Sequence, residues 1–330
     1  MSTQLYSLPN QKIRKTELSR ELSEPVSELL RAAKRPNTLK AYRSDWQSFS
    51  GWCAEHGLQS LPASPDGVAA YIAAKQGHLS VATLQRHVAS ISTAHKTAGY
   101  DTPTGNELVR TTMQGLRAKG NQVSNTAGRK GKAPALTADH MRRVIDAIPA
   151  DHAGVRDIAV LLIGYKGALR RSEIASIHWE NIDISVEGVV LNLLGTKTDS
   201  AYAGQRVAIA YEGGKYCAVQ ALLRYRTLCK AQNIDTQQGA VFRNINKHLQ
   251  VGESLSAHSV GTIVTARCAE VGLEGMTAHS LRRGHLTEGH KQGRAEADLM
   301  RTSRHKSVQV FRGYIDEADL FGRATGKGLL

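Results

Sequence analysis

The stretch from Gly120 to Pro134 divides this chain, and any fold must accommodate the division. It holds three glycines, one sizeable apolar side chain (Val123) and, with Lys119, four basic groups. So little apolar surface cannot contribute to a core, and so much glycine makes a flexible tether. The full length of 330 residues also favours two domains over one.

Ahead of the tether, residues 1–30 are polar and charged, with Pro9 and Pro25, and read as a loosely ordered arm. Residues 31–119 read as a small helical bundle. Leu39, Tyr42, Trp46, Phe49 and Cys53 recur at three- and four-residue steps, which puts them on one face of a helix. Their rings suit a core better than a base-stacking platform. Gly57 stops that helix. Ser64-Pro65-Asp66 starts a second, with Pro in its first turn. A third, over Val81–Ala98, aligns Leu84, Val88, Ile91 and His95 and ends at Gly99. Asn106–Lys119 forms a fourth.

Beyond the tether the periodicity is mixed. Thr137-Ala138-Asp139-His140 is a helix start, and Asp157–Gly167 is an apolar helix. Val189, Val190, Leu191 and Leu193, then Val207 and Ile209, flank Gly195–Gly204 as strand, turn and strand. From about Tyr216 the pattern is helical again. The fold class is therefore mainly α: a helical bundle, then an α+β domain over residues 135–330 with a small antiparallel sheet.

Formal net charge is +14, which points to a polyanionic partner, nucleic acid first. Ribosome binding and bare solubility are the blander readings. Residues 1–134 carry 18 Lys and Arg against 9 Asp and Glu, so the smaller part holds most of the excess. Cys53, Cys217, Cys229 and Cys268 stand far apart, without a disulfide framework or a C-x-x-C pair, as suits a reducing cytosol. No signal peptide or membrane span is expected. The thirteen histidines show no ligand spacing, so neither a metal nor another cofactor is expected.

Six residues in the second part read as one phosphate-handling site: Arg170, Lys197, His279, Arg282, His305 and Tyr314. An arginine fork offers phosphate two parallel hydrogen bonds and keeps its charge. Arg170 and Arg282 are the forks of choice. A phenol such as Tyr314 becomes a nucleophile beside positive charge or a base. Lys197, near a turn, can protonate a leaving oxygen. His279 and His305 can donate to phosphate or relay protons. Taken singly, each is more often a surface or core residue; the combination carries the signal.

Leu169–Ile174, Thr196-Lys197, His279-Ser280-Leu281-Arg282 and His305 nine residues before Tyr314 together resemble the motifs of the tyrosine recombinase, or phage integrase, family. The resemblance covers residues 31–330. It implies a SAM-like core-binding bundle and a catalytic domain of the tyrosine recombinase type. It implies attack of Tyr314 on DNA, a 3′-phosphotyrosine, a Holliday junction and no cofactor. In these roles Lys197 is the acid, Arg170 and Arg282 bind nonbridging oxygens, His279 and His305 assist, and Glu173 supports the site from behind. The implied partners are double-stranded DNA with inverted-repeat half-sites, a homotetramer on DNA formed from free monomers, and accessory DNA-bending proteins, in the cytoplasm and at the nucleoid. Lys40, Arg43, Thr83 and Arg86 would face DNA, and His258, Ser259 and Thr262 would approach bases. The tail after Tyr314 would dock on a neighbouring protomer.

Two features complicate the match. Many members have Gly before the second histidine, where this chain has Arg304, which either touches a phosphate or fills the gap. Arg171 and Arg283 stand beside the chosen arginines and blur the register. Type IB topoisomerases carry similar residues but rejoin the same strand; the helical front domain and the length favour a recombinase. A DNA-binding regulator that does not cut would not need Tyr314. A metal-dependent nuclease would need an acidic cluster that is not seen.

Overall fold

The structure, a computed structural model, describes residues 36–123, 133–194, 204–246 and 250–315. The chain divides into two compact units, residues 1–130 and 131–330.

The first unit packs α1 (Pro36–Glu55), α2 (Pro65–Ala74), α3 (Val81–Ala98) and α4 (Glu107–Val123). Ser64 Oγ accepts from the Gly67 amide and Ser80 Oγ from the Thr83 amide, each at 3.1 Å, which satisfies amides that the first helical turn leaves without partners. Gly99 ends α3 at φ 81°, the left-handed conformation that costs glycine least. Trp46, Phe49 and Cys53 of the expected stripe are buried, while Leu39 and Tyr42 are half-buried at its end. They meet Tyr71 and Ile72 of α2, Leu84 and Ile91 of α3, and Val109 and Met113 of α4. His95 is a core group. Its Nδ1 lies 2.9 Å from the Ile91 carbonyl and its Nε2 accepts from the Ala63 amide at 2.8 Å, which fixes a neutral ring with the proton on Nδ1. Helix α4 runs to Val123, past the expected start of the tether at Gly120, because an isolated glycine lowers helix propensity without breaking it. The rest of the tether through Lys132 lies outside the described residues, as do the arm and residues 316–330.

In the second unit the central element is α6 (His152–Lys166), which follows α5 (Ala138–Ala147). Ala159 to Tyr165 are buried without interruption, the mark of a helix surrounded by protein. Around it lie α7 (Arg171–Ala175), α8 (Ala218–Ala231), α9 (Ala257–Ala269) and α10 (Ala278–Lys291). A three-stranded antiparallel sheet runs in the order β1 (Ile182–Ile184), β2 (Gly188–Leu193), β3 (Gln205–Ala210). Val189 pairs with Ile209 and Leu191 with Val207, so these four share the buried face with Leu193, whereas Val190, also expected, pairs with Ala208 on the opposite face. The three-residue β1 is too short to show an alternation in sequence. Two short helices, α11 (Glu296–Ser303) and α12 (Val308–Ile315), complete the unit. They close over a small cluster of Leu286, Leu299 and Phe311, with Met300 and Tyr314 packed against it.

Ala133–Leu136 passes directly over α10. The Leu136 amide donates to the Ser280 carbonyl at 3.1 Å, and Arg283 Nη1 donates to the Ala133 carbonyl at 3.0 Å. Gly284 allows this approach: a Cβ there would sit 1.9 Å from the Leu136 carbonyl oxygen. Gly284→Ala should therefore cost about 1–3 kcal/mol, as overpacking against backbone does. Gly115→Ala in α4, where a Cβ meets nothing within 4 Å, should add about 0.5–1 kcal/mol. Urea unfolding midpoints of the two variants should move in opposite directions.

Candidate active site

The turn Gly167–Leu169 after α6 delivers Arg170 to the N-cap of α7. Ala168 takes the left-handed φ of 46° and Leu169 is fully buried, so the backbone before Arg170 is held on both sides. Glu173, three residues on, reaches back: its Oε2 accepts from the Arg170 amide at 2.8 Å, the acidic half of a capping box. Its Oε1 accepts from Arg170 Nη1 at 2.6 Å, and Oε2 also takes Arg304 Nη2 at 2.6 Å. Glu173 is only 3% exposed. Burial alone would raise its pKa, but the Arg304 charge and the Arg170 amide and guanidinium outweigh burial and hold it below the usual carboxylate range.

Arg282 comes from α10, whose first turn is capped reciprocally by Thr277 and Ser280. It is 1% exposed. Its Nη1 donates to the Ala168 carbonyl at 2.8 Å and its Nη2 lies 3.2 Å from His305 Nε2. Burial, then the Arg170 and Arg304 charges, push its pKa down to about 9, which leaves it protonated at neutral pH. The two arginines of each adjacent pair have different surroundings. Arg282 meets Ala168 and His305, whereas Arg283 is bonded to the strap at Ala133. Arg170 holds Glu173, whereas Arg171 is exposed.

His305 has its ring orientation and proton fixed by its neighbour. The Ser303 hydroxyl donates to the Leu299 carbonyl at 2.7 Å, so its oxygen accepts from His305 Nδ1, 2.8 Å away. Nε2 is then an acceptor facing Arg282. Burial, then the charges of Arg282 and Arg170, lower the His305 pKa to about 3. His279 sits in the first turn of α10 with Nε2 2.8 Å from the Tyr314 hydroxyl. Burial, then Arg282 and Arg170, hold its pKa below the ordinary 6.5. The Tyr314 ring has its centroid 5.5 Å from that of His279 and 5.1 Å from that of His305.

Hydrogen bonds, ion pairs and ring contacts therefore join five of the expected residues, Arg170, Glu173, Arg282, His279 and Tyr314, to His305 in one network that also contains Arg304. Lys197 lies outside the described residues. Of the expected DNA contacts, Lys40 and Arg43 are exposed on α1. Arg86 is also exposed, but its guanidinium is committed to the buried Asp45 through bonds of 2.7 and 2.9 Å. Thr83 is half-buried and bonded to Ser80. His258 and Thr262 line a groove of about 680 Å³ that also takes in Arg171, Thr265, Ala266 and His279. Ser259 is instead bonded to Ser256 at the start of α9. Arg171, Thr265 and Ala266 had no spacing that marked them in sequence.

Residues 134–320 match the phage integrase family, and the chain belongs to that family. It is a site-specific tyrosine recombinase. The chain is 32% identical over 92% of its length to an integrase/recombinase xerD homolog of Selenomonas ruminantium, covering 89% of that protein. It is 27% identical over 54% of its length to recombinase cre of Escherichia phage P1, covering 53% of that protein. Its fold is similar to that of a lambda integrase solved as a tetramer bound to a Holliday junction, with a TM-score of 0.53, 18% identity and coverage of 92% of this chain and 79% of that one.

The depressed histidines make stability depend on pH in a definite direction. Between pH 6.5 and about 3 an unfolded chain binds protons that folded His305 refuses, so stability falls as pH falls through this window. His285, lowered to about 4 chiefly by burial, acts in the same sense. Urea midpoints should be lower at pH 5.5 than at pH 7.5, and His305→Gln should reduce that difference.

Proposed function

We propose that this chain cuts and rejoins DNA through a covalent 3′-phosphotyrosine on Tyr314, without a metal. The observation that carries this reading is the Tyr314 hydroxyl 2.8 Å from His279 Nε2, beside a cluster of guanidiniums. Because its pKa is depressed, His279 is neutral at neutral pH and can accept the phenol proton as the oxygen attacks phosphorus. Arg170 and Arg282 would stabilise the charge that grows on the nonbridging oxygens, usually the largest part of such catalysis. Lys197 would protonate the departing 5′-oxygen. A 5′-hydroxyl from a partner duplex then attacks the phosphotyrosine and restores the tyrosine, so no external energy source is needed.

By extension from the family, the substrate is double-stranded DNA with inverted-repeat half-sites, bound by four protomers through a Holliday junction. Free protein would be monomeric, and the tail beyond Tyr314 would link protomers. Lys40 and Arg43 suit phosphates. The groove beside α9 suits base edges, with the methyls of Thr262, Thr265 and Ala266 at its wall. Its continuity with His279 would put sequence reading next to the reacting phosphate.

Nicked cognate DNA incubated with the protein in EDTA should yield an SDS-resistant adduct that Tyr314→Phe cannot form. An adduct that needs metal, or that survives Tyr314→Phe, overturns the mechanism. Arg170→Ala or Arg282→Ala should slow cleavage by roughly 10²-fold or more while binding changes less. A 5′-bridging phosphorothioate, whose sulfur leaves without protonation, should rescue Lys197→Ala and no arginine variant.

Binding measurements separate the two kinds of DNA contact. Lys40→Ala or Arg43→Ala should weaken binding across all sequences and reduce the salt slope by about 1 each. His258→Ala or Thr262→Ala should change preference at one base position, by about 1–3 kcal/mol. Equal effects on every sequence from the α9 variants would remove that helix from base reading.

A further inference from the structure

We infer that Arg304 is a positioning residue for strand cleavage: by gripping Glu173 and the Ala168 carbonyl it locks the loop that carries His305 to the turn that carries Arg170. The inference rests on the reading of the site given above and adds to it a residue that would not touch DNA.

Arg304 follows α11 at φ 58°, a left-handed conformation that is unfavourable for a side-chain-bearing residue and nearly free for glycine. Backbone geometry alone would favour glycine. The side chain is nevertheless 4% exposed, so it offers no surface to a phosphate. Nη2 donates to Glu173 Oε2 at 2.6 Å and to the Ala168 carbonyl at 3.1 Å. Nη1 donates to the Gly167 carbonyl at 3.3 Å and to the Thr302 carbonyl at 2.6 Å. Both Nη2 acceptors are shared with the reacting arginines: Glu173 also holds Arg170, and Ala168 also holds Arg282. One guanidinium thus fixes the acceptors that aim two others, from a residue adjacent to His305. Without it, Glu173 keeps a single cationic partner and the Gly167 carbonyl loses a donor inside the protein. Arg170 and His305 would then be free to shift relative to one another, and a misplacement of 1 Å at such a site can cost about 10²-fold in rate.

The test is single-turnover cleavage of nicked DNA at saturating full-length protein, with half-site binding measured in parallel. Arg304→Met should cleave about 10- to 100-fold more slowly while half-site binding stays unchanged. Arg304→Gly, which relieves the backbone, should be equally slow, and Arg304→Lys, which keeps the charge, should recover part of the rate. Combining Arg304→Met with Glu173→Gln should be no slower than the slower single variant, because both act on one linkage. Wild-type rates in Arg304→Met or Arg304→Gly, or losses that multiply in the double variant, overturn the inference. Should Arg304→Met fail to fold by circular dichroism, the Gly and Lys variants decide by the same criteria. Wild-type protein that forms no adduct on Tyr314 instead overturns the strand-transfer reading, whereas wild-type cleavage matched by Arg304→Met refutes only the role of Arg304.

Discussion

The buried carboxylate of Glu173 is the interaction on which the rest of the second unit's site depends. It lies at the junction of three segments far apart in the chain: the turn after α6, the helix α10 and the loop after α11. A carboxylate this buried is unfavourable unless its charge is matched and its oxygens are bonded. Glu173 meets both conditions through the Arg170 amide, the Arg170 guanidinium and Arg304. The pairing is mutual, because those guanidiniums would be costly to bury without it. Breaking one member of such a buried set typically costs about 3–5 kcal/mol, since the remaining charge is left unmatched. What looks like a support group for catalysis is thus also the electrostatic keystone of the unit.

Backbone packing gives that cluster a rigid bed. Helix α6 is buried from Ala159 to Tyr165, and Gly164 lets Ile174 and Leu281 come close: a Cβ there would lie 2.7 and 3.0 Å from their side chains. Ile174 belongs to the arginine-bearing helix α7 and Leu281 precedes Arg282 in α10, so one glycine sets the spacing of both arginine segments. On the other side of α10, Gly284 admits the strap at Leu136. Helix α10 is therefore clamped from two faces by close approaches that only glycine permits. The strap that clamps it includes Ala133 and Pro134, the last two residues of the expected tether, which pack on α10 near the start of the second unit.

Parts of this arrangement were legible in sequence for physical reasons. Periodicity exposed α1 and α3, because their apolar residues recur at helical steps, and α6 stood out as an unbroken apolar run. The β2–β3 pair was legible because Val189, Leu191, Val207 and Ile209 flank a glycine-bounded turn. Capping chemistry marked Ser64, whereas Glu173, three residues beyond Arg170, stood out only through the family resemblance. Strand β1 escaped notice because three residues carry no period. The family resemblance points Arg86 at DNA, and nothing local in sequence reveals Asp45, forty-one positions earlier, as a partner that also holds its guanidinium. Arg304 could be flagged only as an anomaly beside His305. Its partner is 131 positions away, and long-range ion pairs leave no periodic trace.

The same long-range charges explain why the histidines are tuned as they are. Three guanidiniums gather around one carboxylate, so the local field is positive and protonation of His279 or His305 is opposed. A field that keeps His279 neutral leaves its Nε2 lone pair available to the Tyr314 hydroxyl. The Ser303 hydroxyl, by fixing the proton of His305 on Nδ1, turns the other imidazole nitrogen toward Arg282. A phosphodiester entering this field would offset the excess positive charge and draw the histidine pKa values back up. Binding of the reacting group and readiness of the histidines to carry protons would in that way be coupled through one electrostatic cluster, and such a coupling would need no movement of the backbone.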